Sequence, residues 1–468
     1  MRIPSMIPVS RVSNPYSRLS EEQVQALVRS CTVPEKNPSR YAVRDILRHG
    51  FASYAEKHPV SFHTEKVIRA LMACGTGELG YTLTSCPECG TLHMSADKCG
   101  SRYCSGCGFL RQLRWQSERL SELIEGIPYY HVVFTMPHEL NSLVFQNQKL
   151  LLNHLFRSVN RTVMELSMEK HKIIPGIQMV LHTFGSTMTL HYHIHMLVSG
   201  GGLAPDRKSF SKIKSQNFFL PVKVLQERYR SVFLQGLKEF HDAGKLEFFG
   251  EAQRWRNSYE WKELIDLCYR RDWNVEIRRY LASEKAAQAF PRYAAHPPVS
   301  PNEVPAPSWD DDLDDPDVST AVEYLSRYTG RSAITDNRVR EWDEEHVSFD
   351  YKDYRSGGAK KTMTLTVDEF IRRFLLHILP KGVAKIRYGG FLAGCVKAKN
   401  LSLIRELLSQ EKKESPVSEM SATELADYFY HADFASCPHC GSRFIILGRR
   451  MGIRAAAQKI MKLQPRAS

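Results

Sequence analysis

Residues 189–202 read TLHYHIHMLVSGGG, and this stretch decides the fold. Histidines at 191, 193 and 195 alternate with Tyr192, Ile194 and Met196. A strict period of two gives a strand one polar and one apolar face, so a strand is expected over 188–198. Residues i and i+2 of a strand lie on one face with Cα atoms about 6.7 Å apart. Two such imidazoles can converge on one divalent cation, whereas His191 and His195 stand twice as far apart. His193 and His195 are therefore the expected ligands, with a third from a neighbouring element or from His191. Gly200, Gly201 and Gly202 then fit a turn that lets a phosphate or another backbone approach closely.

Working outward, YYHVVFTMP (129–137) is rich in β-branched and aromatic residues and reads as a strand. A helical pattern over 143–169 separates it from a further strand at 177–183. Helices are expected through much of 221–271 and a strand at DWNVEIRRY (272–280). Towards the N-terminus, helical periodicity runs from Ser20 to about Leu71, and a basic helix is expected at FLRQLRWQSERLSELI (109–124). Residues 281–318 break the pattern with prolines and WDDDLDDPD (309–317), which reads as an exposed acidic insertion or linker. Segregated helix and strand runs point to an α+β fold. The linear division expected is a helical region at 1–65, a zinc-binding domain at 66–120, a catalytic domain at 125–345, and a basic, mainly helical region at 346–468.

After the acidic stretch, Thr320-Ala-Val-Glu323 matches a capping box, and Gly330 supplies a stop. Within that helix Tyr324 and Tyr328 share a face. Val322 and Leu325 can turn to the core, leaving Arg327 and Arg331 for phosphates. Tyrosines at this spacing commonly serve packing alone, but a nearby metal site gives them a chemistry. A phenol with a pKa near ~10 is a weak nucleophile at neutral pH; a metal that polarises a scissile phosphate compensates. The product, a covalent phosphotyrosine, stores the broken bond for rejoining. Two tyrosines on one face allow two successive transfers.

The 11 cysteines cluster in pairs and are not spaced as a disulfide framework, which points to metal in a reducing compartment. Cys86-x-x-Cys89 and Cys104-x-x-Cys107 have near zinc-ribbon spacing, predicting one structural Zn2+. Cys74, His93 and Cys99 are spare candidates, so the ligand set differs or a second ion binds. Arg111 and Arg114 on the adjoining helix suggest a DNA-binding head, although zinc modules also serve protein contacts. A second pair, Cys437-Pro-His-Cys440, lacks a neighbouring partner. It is either half of a site completed by a distant residue such as Cys395 or His431, or an unmetallated knuckle.

Lys and Arg total 64 against 51 Asp and Glu, a net charge of +13 that suits a polyanionic partner. No apolar run approaches the ~18 residues of a membrane span, and the N-terminus lacks a secretory signal's apolar core. A cytoplasmic, nucleoid-associated protein is expected.

Five blocks in order resemble a known family: CGSRYCSGC (99–107), YYHVVFTMPHEL (129–140), HTFGSTMTLHYHIHMLVSGGG (182–202), YLSRYTGRSAITDNRV (324–339) and FIRRFLLHILPKGVAKIRYGGFLA (370–393). The histidine block resembles the His-hydrophobic-His motif of HUH endonucleases. The set is similar to rolling-circle transposases of the insertion sequence 91 family. That resemblance implies a central antiparallel sheet flanked by helices and an N-terminal zinc-binding domain. It also implies Mg2+ or Mn2+ at His193 and His195, and Tyr324 and Tyr328 as nucleophiles. The implied reaction nicks single-stranded DNA at an element's end through a 5′-phosphotyrosine and passes the strand to target DNA. His182 stands where the pattern leads one to expect glutamine. A plasmid replication initiator or relaxase would use the same chemistry; a zinc-containing DNA-binding regulator would use none of it.

Overall fold

A computed structural model describes most of residues 42–463, together with Ser20, Glu22, Val24 and Ala26. The rest of 1–41, residues 214–218, 282–316, 331, 354–355 and 464–468, and several positions between 422 and 438 lie outside the described residues. Arg331, His431 and all but the ends of the acidic Pro-rich insertion expected at 281–318 fall there. The chain divides into two bodies that cut across the linear expectation. One joins residues 73–99 to 433–468, with 1–38; the other comprises 39–72 and 100–432.

The larger body is built on a six-stranded antiparallel sheet. Its strands are β3 (Pro128–Thr135), β4 (Ile174–Phe184), β5 (Leu190–Leu203), β6 (Phe210–Lys212), β7 (Val275–Leu281) and β11 (Ile386–Gly390), in the order β11-β4-β5-β3-β7 with β6 beside the end of β5. The alternation along β5 sends Tyr192, Ile194, Met196 and Val198 to one face. There they join the main core with Leu151, Leu155, Val159 and Val163 of the helix Gln148–His171, and with Tyr229 and Phe233 of the helix Val222–Asp242. The opposite face carries the histidines, then Leu197. It packs on Trp115 and Leu120 of helix α3 (Ser105–Ser121), and on Val318, Ala321, Val322 and Leu325 of the helix Val318–Thr329.

Gly200, Gly201 and Gly202 lie inside β5 and not in a turn. A Cβ on Gly200 would stand 2.7 Å from the Pro128 carbonyl oxygen, and one on Gly201 2.8 Å from the Phe210 ring. The strand is thus flanked so closely that only glycine fits. This bears out the close backbone approach and corrects the turn.

The tyrosine helix starts two residues before the expected capping box, because Asp317 caps it by accepting from Ser319 N at 2.8 Å. Gly330 ends it with φ −109°, outside the left-handed region. Its glycine identity has another cause: a Cβ there would meet the Gly108 carbonyl oxygen at 2.6 Å, so the helix C-terminus rests directly on the start of α3.

The N-terminal helical expectation is met, among the described residues of this body, by α1 (Ala42–Lys57) and α2 (Phe62–Met72). A second antiparallel sheet, β8 (Val339–Trp342), β9 (His346–Asp353) and β10 (Ala359–Thr366), leads into the helix Val367–Leu375. The region beyond 346 therefore contributes four strands as well as helices.

The smaller body is a three-stranded sheet of β1 (Tyr81–Ser85), β2 (Leu92–Ala96) and β12 (Ile445–Met451), with β1 in the middle. The helix Ile453–Leu463 covers it, and its core is small: Leu83, Met94, Ala456 and Ile460. No helix among the described residues is long and apolar enough to cross a membrane.

Candidate catalytic metal centre and zinc knuckles

Strand register assembles the histidine site. His182 lies directly opposite His193 across the β4–β5 pair, while His195 is two residues further along the same face of β5. The His182 Nδ1 stands 3.1 Å from His193 Nε2 and 3.1 Å from His195 Nε2. His182 and His195 are buried and His193 half-buried. The three nitrogens are near enough to one another to hold one ion. His191 does not belong to this set: it is exposed, and what it offers His193 is its backbone carbonyl, 3.0 Å from His193 Nδ1. The third member of this nitrogen cluster is thus His182, at the position that departs from the expected glutamine. Only the pairing of β4 with β5 could have identified it.

The donor set suits a cation. Burial pushes His193 down to about 3, the neighbouring His191 adding to the effect, and pushes His195 well below its ordinary value. Both rings are therefore neutral, each with a lone pair. A proton on His193 Nδ1, donated to the His191 carbonyl, leaves Nε2 free to ligate. Behind this group, His131 Nε2 lies 2.9 Å from His195 Nδ1. Burial, helped by Arg278 on β7, holds His131 down to about 3.

Tyr324 is half-buried beside this cluster, its ring centroid 5.6 Å from those of both His131 and His195. Tyr328 follows one turn later on the same helix; its side chain lies outside the described residues. Arg327, expected to meet phosphates, is buried and paired with Glu323 at 2.7 Å. Arg114 is likewise engaged, donating to the Met420 carbonyl. Arg111 is exposed on α3 and donates to the Gly100 carbonyl at 2.7 Å.

In the smaller body the cysteine reading changes. Cys86 and Cys89 gather with Cys437 and Cys440, and not with Cys104 and Cys107. The Sγ atoms of Cys86 and Cys440 are 3.3 Å apart, and those of Cys89 and Cys437 3.4 Å. The cause is topological: β12 pairs antiparallel with β1, which delivers the C-terminal knuckle to the N-terminal one. The two are built alike. Cys86 N donates to Thr91 O and Gly90 N to Cys86 O, just as Cys437 N donates to Ser442 O and Gly441 N to Cys437 O. Gly90 and Gly441 both take left-handed φ, at 70° and 75°.

Thr91 Oγ1, 3.0 Å from Cys89 Sγ, holds that thiol down to about 6, which favours the thiolate a metal needs. Four thiolates that close together match a closed tetrahedral Zn2+ site. Neither Cys395 nor His93 is part of it. Of the other cysteines, Cys74 Sγ accepts from Cys99 N at 3.3 Å in the smaller body, whereas Cys104 and Cys107 sit at the start of α3 in the larger.

Comparisons with known proteins point to transposases. A family model described as "Transposase zinc-binding domain" matches residues 46–136, and one described as "Putative transposase" matches 176–307 and 317–400. The chain is similar to a protein of Sinorhizobium fredii named "Putative transposase y4qJ", 33% identical over 406 residues, which are 85% of this chain and 92% of the relative. It is also similar to the "Transposase for insertion sequence element IS801" of Pseudomonas savastanoi pv. phaseolicola, 25% identical over 394 residues, 83% of this chain and 84% of the relative. No solved structure matches.

Proposed function

Because the chain belongs to the insertion sequence 91 family of transposases, we propose that it moves DNA by nicking and rejoining single strands through a metal-dependent 5′-phosphotyrosine. Tyr324 and Tyr328 are the nucleophiles in this reading, and element ends and target DNA the substrates. One juxtaposition carries it: the Tyr324 ring packs 5.6 Å from the His195 ring, at the edge of three imidazoles whose nitrogens face each other.

His182, His193 and His195 would hold the divalent ion. Its all-nitrogen donor set favours Mn2+ over Mg2+, and when bound the ion supplies charge to polarise the scissile phosphate. The protein's own residues do the rest. With His195 Nε2 kept as a lone pair, its Nδ1–H donates to His131 Nε2 and fixes the ring. The tyrosine helix, seated on α3 through Gly330 and Gly108, presents the phenol to the phosphate. The Tyr Oη–P bond forms, the P–O3′ bond breaks, the phenolic proton is given up and the departing 3′-oxygen takes one. A 3′-hydroxyl of another strand reverses the step, and the bond energy is conserved. Exposed Arg111, and the chain's basic excess, support phosphate binding. Zn2+ on the paired knuckles serves structure.

Incubating the protein and Mn2+ with labelled single-stranded DNA carrying the element's end tests the reading. The expected product is a denaturation-resistant adduct, lost with chelator and in the Tyr324→Phe/Tyr328→Phe double variant. An adduct that persists in that variant refutes the tyrosine assignment.

A further inference from the structure

The turn joining β4 to β5, residues 185–189, carries the metal ligands on its two arms: His182 just before it, His193 just after. Turn carbonyls have no ladder partner and must find donors elsewhere. Here three consecutive ones find side chains from three separate positions downstream. The Ser186 carbonyl accepts from Arg338 Nη2, which lies just before β8. The Thr187 carbonyl accepts from Arg373 Nη1 at 2.9 Å, from the helix Val367–Leu375. The Met188 carbonyl accepts from His377 Nε2 at 3.0 Å, two residues beyond that helix. The Ser186 hydroxyl adds a bond to the Lys352 carbonyl of β9, at 2.6 Å.

Met188 is the residue this grip most constrains, since it holds φ 60° without being glycine. His377 also reaches the ligand strand directly. The Thr183 hydroxyl, next in sequence to His182, stands 3.0 Å from His377 Nδ1. The Phe184 ring packs edge-on to His377 at 5.3 Å and lies parallel to His182 at 6.0 Å. Burial keeps the His377 ring neutral by pushing it down to about 4, so one nitrogen donates to Met188 while the other accepts from Thr183. Arg373 is itself aimed by Glu369, 2.7 Å away.

We propose that Arg338, Arg373 and His377 are positioning residues: a clamp on the β4–β5 turn that sets His182 against His193 and His195 and so fixes the affinity for the catalytic ion. None of the three belongs to the clustered nitrogens of His182, His193 and His195. They act as outer partners of metal ligands do, whose loss costs ~10–100-fold in metal affinity.

This inference rests on the metal reading of the histidine triad, and the experiment separates the two. The full-length, zinc-loaded protein is titrated with Mn2+, free ion being followed by electron paramagnetic resonance. Wild type is compared with Arg373→Ala, His377→Ala and His377→Gln, zinc content and thermal midpoint reporting the fold. The alanine variants should bind Mn2+ at least about tenfold more weakly. Their nicking should recover as Mn2+ is raised, and His377→Gln, which keeps an N–H for the Met188 carbonyl, should regain most of the affinity. Should His377→Ala fail to fold, Arg373→Ala, at a partly exposed position, decides the matter. Folded variants with wild-type Mn2+ affinity overturn the clamp and leave the metal site standing. A wild-type protein with no saturable Mn2+ site overturns the metal reading and the clamp with it.

Discussion

Replacing Cys437 with serine removes one of four thiols whose Sγ atoms all lie within 4.8 Å of one another across two knuckles. Among the described residues, the smaller body has little else to hold it. Its buried core is Leu83, Met94, Ala456 and Ile460, and the three larger side chains contribute roughly 5–9 kcal/mol in all. A structural zinc typically contributes ~10–16 kcal/mol to folding, more than that core supplies. The substitution should therefore release one zinc per chain and unstitch β12 from β1, melting the smaller body while the six-stranded sheet persists. A chromogenic chelator counts the metal. Hydrogen exchange at the amides of Cys86, Gly90, Cys437 and Gly441, all bonded within the knuckles, reports the fold. Unchanged zinc content and full protection of those amides in Cys437→Ser would refute the assignment.

Other substitutions probe the larger body. His182→Ala should weaken Mn2+ binding more than tenfold, whereas His191→Ala, which keeps the carbonyl that His193 uses, should change it less than threefold; isothermal titration compares them. Acid should destabilise the metal-free protein. His131 and His193 sit near 3 and His377 near 4 when folded, so an unfolded chain binds more protons below pH 6.5. Stability present above 6.5 is then lost as pH falls towards 4, by about 1.4 kcal/mol per pH unit for each such histidine. Urea melts at pH 7.5 and 5.5 measure this, and Mn2+ should restore part of the loss. Gly330→Ala puts a methyl 2.6 Å from the Gly108 carbonyl. It should cost ~1–3 kcal/mol by overpacking and lower adduct yield by tilting the tyrosine helix, read by thermal melts and cross-linking.

The parts legible in the sequence were those set by local periodicity. Alternation along 189–198 fixes the strand and places His193 and His195 on one face, and the capping-box pattern at 320–323 announces the tyrosine helix to within two residues. What sequence spacing could not settle depends on non-local pairing. His182 joins the histidine cluster only because β4 registers it opposite His193. The nearest CxxC pair in sequence is not the partner of Cys86 and Cys89, because β12 crosses from the far end of the chain to pair with β1. The glycine triplet looked like a turn, since no local signal reports how closely Pro128 and Phe210 flank β5. Arg114 meets the Met420 carbonyl across the fold, which no local signal reports, whereas the Arg327–Glu323 pair is an i,i+4 contact within one helix.

Where the DNA becomes attached to the protein distinguishes a tyrosine nucleophile from every other. Protein incubated with Mn2+ and the element's single-stranded end should be digested with trypsin and nuclease, and the modified peptide identified by mass spectrometry. A nucleotide joined through its 5′-phosphate to Tyr324 or Tyr328 is the expected result. Attachment at any other residue, or strand cleavage with no covalent intermediate, would contradict it.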